Sequence, residues 1–305
     1  VSSDKIQRVM QVVEEMGYAI NEKAQNLRKG AAKVLAVVVP NIYDKTYIDF
    51  FSNFKEYAER RDYMVDLYTT NDDGDYEKKQ IQRIKSRMTE GVAVFTSISD
   101  EVSPYLEAGF SEEDVVFISH KQSYCGKFIG YDSKQVGKKI AKKVLEGGYK
   151  NVAFLTGPLT CSSKKDFYDT FIKEIGDSEK ISEVYGWVTT EQSRYQSAVR
   201  IFAHMCPDVV VTDSISLAEI IKAVYQNFYS NTPMDIFSLS PVYTVPEMDI
   251  IKYEVDYRKM GTEAASYLIN RNWENKNELI IQPKGFSDWQ RTKAKSEGKV
   301  LNVLS

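Results

Sequence analysis

Side chains with the potential for chemistry are few in this chain and scattered along it. The histidines are His120 and His204, and the cysteines are Cys125, Cys161 and Cys206, widely separated and in no CxxC arrangement. Such spacing signals neither a disulfide framework nor a zinc site, so no metal is expected. There is no G-x-G-x-x-G after the first apolar run, no P-loop and no H-E-x-x-H, so the usual marks of nucleotide cofactors and metallohydrolases are absent. His120 stands just past an apolar run, where cleft residues of α/β proteins concentrate. Catalysis there would need a nucleophile or carboxylate partner, and a ligand contact or a surface position is the simpler expectation. Cys161, in LTCSS, heads a helical stretch whose terminus could lower a thiol pKa; a small, partly buried side chain is the plainer reading. Asp132, Asp213 and Asp256 each follow a strand-like run. They are expected to cap helices and keep neighbouring elements in register, with Asp213 also able to face a ligand. The chemistry implied is binding, with no cofactor and no enzyme activity.

Those positions must be held by a sizeable fold. At 305 residues the chain can form two domains or two lobes of one, and its net charge of −3 confines any nucleic-acid patch to a local segment. The first 33 residues carry one: Lys5, Arg8, Lys23, Arg28, Lys29 and Lys33 outnumber Asp4, Glu14, Glu15 and Glu22. No apolar run reaches the roughly 18 to 20 residues needed to cross a bilayer, and no signal-peptide pattern opens the chain. Unpaired cysteines fit a reducing cytoplasm.

After Gly30, short β-branched runs alternate with helical ones. VLAVVV (34–39), MVDLYT (64–69), GVAVFT (91–96) and DVVFIS (114–119) read as strands buried on both faces of a parallel sheet. Helical stretches lie between them, and the alternation predicts a right-handed, doubly wound sheet. The grammar then restarts, with helices over 135–145, 164–175, 193–204 and 217–225 and strands over 151–156, 208–212 and 234–239, plus ISEVYGW. Two sets imply two α/β lobes with a cleft between them. Helix 257–270 and strand 278–282 come late enough to return to the first lobe. The tail 292–305 is expected to be a surface extension.

The first thirty residues, VSSDKIQRVMQVVEEMGYAINEKAQNLRKG, have a different character. Ile6, Val9, Met10, Val13 and Met16 recur at spacings of three and four, which makes one face of an amphipathic helix ending at Gly17. A second short helix is expected from Asn21 to Lys29. Neither can bury a core alone.

V-S-x-x-x-x-x-x-V, then M-G-Y, then N-x-x-A-x-x-L-R-x-G, in unbroken register, resembles the third helix of the DNA-binding headpiece plus the hinge helix of the lactose repressor and galactose repressor family. Further on, GYDSKQVGKKIAKKVLEGGYKNVAFLTGPLTCSS, DVVVTDSISLA and YEVDYRKMGTEAASYLI extend the resemblance over 1–291. It implies a fold of two doubly wound parallel sheets in a two-lobed, periplasmic-binding-protein-like domain, preceded by a partial helical headpiece and hinge helix. The implied boundaries are 1–30 for the headpiece and hinge, 33–131 with 259–291 for lobe 1, 132–258 for lobe 2, and 292–305 for the tail. Because the chain opens on Val1 and the other two headpiece helices of a helix-turn-helix are not in it, an N-terminal truncation is expected.

The resemblance also implies roles. DNA contacts would fall on Ser2, Lys5, Tyr18, Asn21, Ala24, Gln25, Leu27 and Arg28, with Leu27 as the minor-groove wedge. The effector cleft would involve Tyr43, Phe51, Thr96, Ser119, Phe167, Thr189, Asp213 and Tyr257. Here the chain departs from the family. The sugar-gripping arginine after T-G-P is replaced by Phe167, with Lys165 two residues earlier. Thr212 replaces an asparagine, Ser119 replaces a cleft aspartate, and Ser240 to Val242 hold no acid where the family has one. The implied protein is a cytoplasmic, homodimeric transcriptional repressor. Its effector would be a sugar, a sugar derivative or a nucleoside, or its partner a phosphocarrier protein. A solute-binding protein of the same fold, serving transport or chemoreception, is the alternative.

Overall fold

The computed structural model describes residues 33–287, except 100–102, 123–125, 177, 191–192, 230–232, 243–249 and 274–275, together with residues 5, 7, 8, 11 and 12. Lys5, Gln7, Arg8 and Gln11 are helical and exposed, as the polar side of an amphipathic helix requires, and the apolar Val12 is helical and exposed beside them. The other expected DNA contacts, Ser2, Tyr18, Asn21, Ala24, Gln25, Leu27 and Arg28, lie outside the described residues, as does the tail.

The first lobe is built from β1 (Val34–Val39), α1 (Lys45–Glu59), β2 (Met64–Thr69), α2 (Gly74–Ser86), β3 (Gly91–Val94), α3 (Pro104–Glu107), β4 (Val115–Ile118) and β5 (Lys127–Gly130). The second holds α4 (Ser133–Gly147), β6 (Asn151–Thr156), α5 (Ser162–Gly176), β7 (Glu183–Val188), α6 (Arg194–His204), β8 (Val209–Thr212), α7 (Ile215–Phe228), β9 (Asp235–Pro241) and β10 (Ile250–Val255). The chain returns to lobe 1 through α8 (Tyr257–Asn270) and β11 (Glu278–Ile280), then ends in β12 (Gly285–Phe286).

Each sheet has six strands, in the orders β11-β5-β4-β3-β1-β2 and β12-β10-β9-β8-β6-β7. All pairings are parallel except β10 with β12. β12 therefore belongs to the second sheet, although 259–291 was assigned to lobe 1; the chain crosses between lobes once more than the sequence pattern suggests. β1 is wholly buried, as a central parallel strand should be. β2 is not: its residues are mostly half-exposed, because it is an edge strand covered on one side only.

Helix packing fixes the lobes. Asp132 and Asp256 cap α4 and α8 by accepting the backbone N–H of Gln135 and Lys259 at 2.8 and 3.0 Å. α8 lies so close on α1 that a Cβ at Gly261 would stand 2.2 Å from the Phe50 carbonyl oxygen, and α4 approaches α5 at Gly137, where a Cβ would meet the Phe167 carbonyl at 3.0 Å. A side chain at either glycine would push the helices apart.

Candidate functional site

Every strand that ends at the cleft ends there by its C-terminus, the usual place for ligands in open α/β sheets. Pro40 follows β1, Phe95 and Thr96 follow β3, and Ser119 and His120 follow β4. Tyr131 follows β5, Gly157 follows β6 and Asp213 follows β8. All of these line one cavity of about 70 Å³ between the lobes, together with Asp44, Tyr47, Asp72, Tyr257, Cys161, Ser163, Lys164, Arg194, Ser214 and Leu217. A second recess of about 480 Å³ shares Asp72 with it and is lined by 71–75, Lys78, Ser97, Ile98, Ser99, Pro158 and Thr190.

One wall is aromatic. Tyr47 meets Phe95 edge-on at 5.0 Å, and Tyr131 meets Tyr257 edge-on at 6.4 Å. Burial pushes the phenols of Tyr47, Tyr131 and Tyr257 above their ordinary range, so all three stay protonated.

The facing wall is charged. The Lys164 ammonium lies 3.5 Å from Asp213 Oδ2, with the two side chains only 22% and 2% exposed, and the Gly157 N–H donates to the same oxygen at 3.3 Å. Burial alone would lower the Lys164 pKa. Asp213 first, then Tyr47, Asp72 and Cys161, outweigh it and raise the value well above that of a free lysine, so the ammonium is retained. Two polar atoms of the lining, Ser119 Oγ and Asp213 Oδ1, are buried without a hydrogen-bond partner among the described residues. Ser119 also sits at φ +60°, a left-handed conformation uncommon for a serine. Orphaned polar atoms and local strain converging on one cavity mark a binding site.

The lobes are tied across this cavity. The Ser214 hydroxyl donates to Asp44 Oδ2 at 2.7 Å. On the opposite side, the Ser162 N–H donates to His120 Nδ1 at 3.1 Å and the Lys121 N–H donates to Ser162 Oγ at 2.8 Å. The Ser119 carbonyl accepts from the Ser163 N–H at 3.2 Å, from the Ser163 hydroxyl, and from Cys161 Sγ at 3.5 Å. Burial lowers the His120 pKa, so the ring is neutral with its proton on Nε2, and its role is to receive the start of α5. Burial raises the Cys161 thiol pKa, which opposes the activation that a helix terminus could give.

Of the residues expected in the cleft from sequence, Thr96, Ser119, Asp213 and Tyr257 line the cavity. Tyr43 is 60% exposed, and Phe51 packs against the core at half burial. Thr189 is buried, receiving the Ser197 hydroxyl at 2.9 Å. Phe167 is fully buried and stacks edge-on with Phe154 at 5.0 Å, so it belongs to the lobe 2 core rather than to the cleft. The cation on this helix is Lys164, one turn before Phe167, whereas Lys165 points outward and pairs with Asp169 at 2.5 Å. Helical phase alone could have favoured Lys164, because residues three apart share a side of the helix. Tyr47, Asp44 and Arg194 carried no such signal. Among the described residues no group of three or more His, Cys, Asp or Glu could hold a metal ion.

The residues 32–284, two lobes and cleft together, match the family described as periplasmic binding proteins and sugar binding domain of LacI family. The chain belongs to this family. Among curated relatives, this LacI-family domain is 21% identical over 184 residues to the ribose operon repressor of Halalkalibacterium halodurans, covering 60% of this chain and 54% of that protein. It is 20% identical to the NTD biosynthesis operon regulator NtdR of Bacillus subtilis over 281 residues, 88% of this chain and 84% of that one. Against the ribose operon repressor, then, the chain spans about half of the relative's length. Among solved structures, the domain is similar to the Cra transcriptional dual regulator of Pseudomonas putida in complex with fructose 1-phosphate, with 14% identity, TM-score 0.72, and coverage of 84% of this chain and 98% of that one. A LacI family transcriptional regulator from Silicibacter pomeroyi matches with 16% identity, TM-score 0.72, and coverage of 94% and 90%. At these identities the structural likeness speaks for the fold alone.

Proposed function

We propose that this chain is the effector-binding and dimerisation part, with the hinge, of a DNA-binding transcriptional repressor, in which a small molecule held between the lobes sets operator affinity. The observation that carries this reading is the convergence of orphaned polar atoms, an aromatic wall and inter-lobe hydrogen bonds on one cavity. A ligand there must rearrange the contacts that set the angle between the lobes. In a homodimer that angle would move the two hinge segments relative to each other, a coupling typically worth about 1 to 3 kcal/mol. The aromatic wall suits the apolar face of a sugar, sugar derivative or nucleoside, while a phosphocarrier protein is the alternative partner. Binding without turnover fits the neutral, hydrogen-bonded His120 and the thiol raised by burial. No helix among the described residues is long and apolar enough to cross a membrane, and a cytoplasmic location is proposed with the DNA-binding role.

The test joins the chain to a complete headpiece of its family, selects a duplex from a random pool, and follows anisotropy while sugars, sugar phosphates, nucleosides and a phosphocarrier protein are titrated. A palindromic site whose affinity one compound shifts several-fold is the expected result. Enrichment of no duplex above salt-sensitive, non-specific binding would overturn it in favour of the solute-binding reading.

A further inference from the structure

The cavity of about 70 Å³ is far below the roughly 300 to 1,000 Å³ of ordinary small-molecule sites. The recess that shares Asp72 lies within that range at about 480 Å³; within the small cavity, the lining group placed most like a ligand is the Lys164 ammonium. Its ammonium approaches Asp213 Oδ2 at 3.5 Å from the lobe 2 side. Tyr47 and Asp72, both from lobe 1, line the same cavity and interact with the same charge. Asp213 keeps Oδ1 buried and without a hydrogen-bond partner among the described residues, and its side chain is only 2% exposed. The carboxylate therefore has unused capacity for a further N–H or O–H donor.

We propose that Lys164 is a built-in occupant of the cleft, its ammonium filling an anionic seat formed by Asp213 and faced by Asp72 and Tyr47, and that an effector carrying a primary ammonium group competes for this seat. The inference rests on reading the cleft as the effector site and names the chemistry the site selects. Lys164 joins the lobes electrostatically: its ion-pair partner is in its own lobe, while Asp72 and Tyr47 reach it from the other. Asp44 of lobe 1 is held beside the same place by Ser214, the residue after Asp213. Displacing the lysine ammonium by that of a ligand keeps every charge in the seat balanced. A neutral polyol would leave the tethered cation in place and would have to fit around it. A charged amine thus has an access that a neutral sugar of equal size lacks.

The experiment is chemical rescue, read by thermal unfolding of the full chain without DNA, so that its failure is separate from a failure of the repressor reading. Lys164→Ala removes the atoms of n-propylammonium from the cleft and leaves Asp213 buried without its counter-charge. Titrated n-propylammonium is expected to raise the midpoint of this variant by roughly threefold more than n-propanol at the same concentration, through binding to the folded state alone. The parent chain, whose seat the tethered ammonium already fills, should still respond to the amine more than to the alcohol, but only at a higher amine concentration than Lys164→Ala needs. Equal responses of Lys164→Ala to amine and alcohol, or no response to either, would overturn the proposal. If Lys164→Ala does not fold, Lys164→Met keeps a stem of the same length and loses only the ammonium, and there ammonium chloride should raise the midpoint more than sodium chloride does; equal responses again overturn it. Adding Asp213→Asn to either variant should abolish the preference for the ammonium ion, and a preference that persists would place the ammonium elsewhere and refute the seat.

Discussion

Each lobe buries a carboxylate beside the cleft, and the two are satisfied in opposite ways. Glu77 on α2 has no solvent exposure and receives three neutral donors: Thr96 Oγ1 at 2.7 Å, Tyr105 OH at 2.9 Å and the Ser97 N–H at 2.8 Å. Asp213 in lobe 2 receives one backbone N–H and a lysine ammonium, and keeps one oxygen unpartnered. Neutral donors fix geometry without cancelling charge. Burial therefore raises the Glu77 pKa to about 7, even though its three hydrogen bonds pull it down and only Asp72 adds to the rise. Glu77 pins the loop that delivers Phe95 and Thr96 to the cavity, and it is a structural anchor. Asp213 instead has a cationic counter-ion, the one that the proposed competition would exchange. The same residue class serves as scaffold when its partners are neutral donors, and in the proposed reading as recognition group when its partner is a cation.

The sharpest way to break this contrast is Asp213→Ala. Removing one member of a buried pair leaves the other uncompensated, and with Lys164 only 22% exposed the expected loss is about 3 to 5 kcal/mol in denaturant unfolding. A loss under about 1 kcal/mol, the level of a surface pair, would show that solvent already screens this pair. Glu77 comes next, and its signature is pH dependence. Its folded-state pKa lies above the unfolded value, so its contribution is complete below about pH 4.5 and is lost as pH rises through about 7. That interval, at about 1.4 kcal/mol per pH unit, corresponds to about 3 kcal/mol. Glu77→Gln removes the titration, so the parent-minus-variant stability difference should fall steadily from pH 4.5 to 7.5. A flat difference would mean that the three donors hold Glu77 ionised throughout.

The strands most legible in the sequence are the apolar central ones, although β2, β7, β9 and β11 are also legible despite an acidic residue in each. β1, β6 and β8 show unbroken apolar runs, and the structure places them in sheet interiors. β5 and β10 are legible only as strand-like runs without bounds before Asp132 and Asp256, and each contains a buried lysine. Lys127 is 8% exposed and hides its charge by donating to the Lys276 carbonyl and Asn277 Oδ1 at 3.1 and 3.0 Å, while Lys252 is 5% exposed within β10. Such lysines interrupt an apolar pattern, and the partners that permit their burial lie far away in sequence. The cleft was half legible for a related reason. Ser119 and Asp213 follow recognisable strands, so strand ends predicted them. Tyr47, Asp72 and Arg194 reach the cavity from helix starts and a loop whose direction is set only when the lobes come together.

A smaller effect tests whether the lobes communicate across the seat. Ser214→Ala deletes the hydroxyl that donates to Asp44 Oδ2 at 2.7 Å and should cost about 1 kcal/mol of global stability. In small-angle scattering it should also shift the population toward separated lobes. A stability loss with no change in the scattering would show that His120, Ser162 and the Ser119 carbonyl hold the lobes together without it.

The smallest expected effect is the most discriminating for α5. Lys164 and Lys165 are adjacent, equally charged and each near an aspartate, yet α-helical geometry turns them about a quarter-turn or more apart. Lys164 faces the cavity, whereas the side chain of Lys165 is 58% exposed in its pair with Asp169, four residues on. Exposed pairs of this spacing give little net stability, because solvent screens them and the long side chains lose freedom on pairing. Lys165→Ala should therefore leave the unfolding midpoint within experimental scatter, and n-propylammonium should act on it as on the parent chain. If instead Lys165→Ala acquires the amine response expected of Lys164→Ala, α5 presents a different side to the cleft in solution, and the contrast between the two buried carboxylates loses its basis in lobe 2.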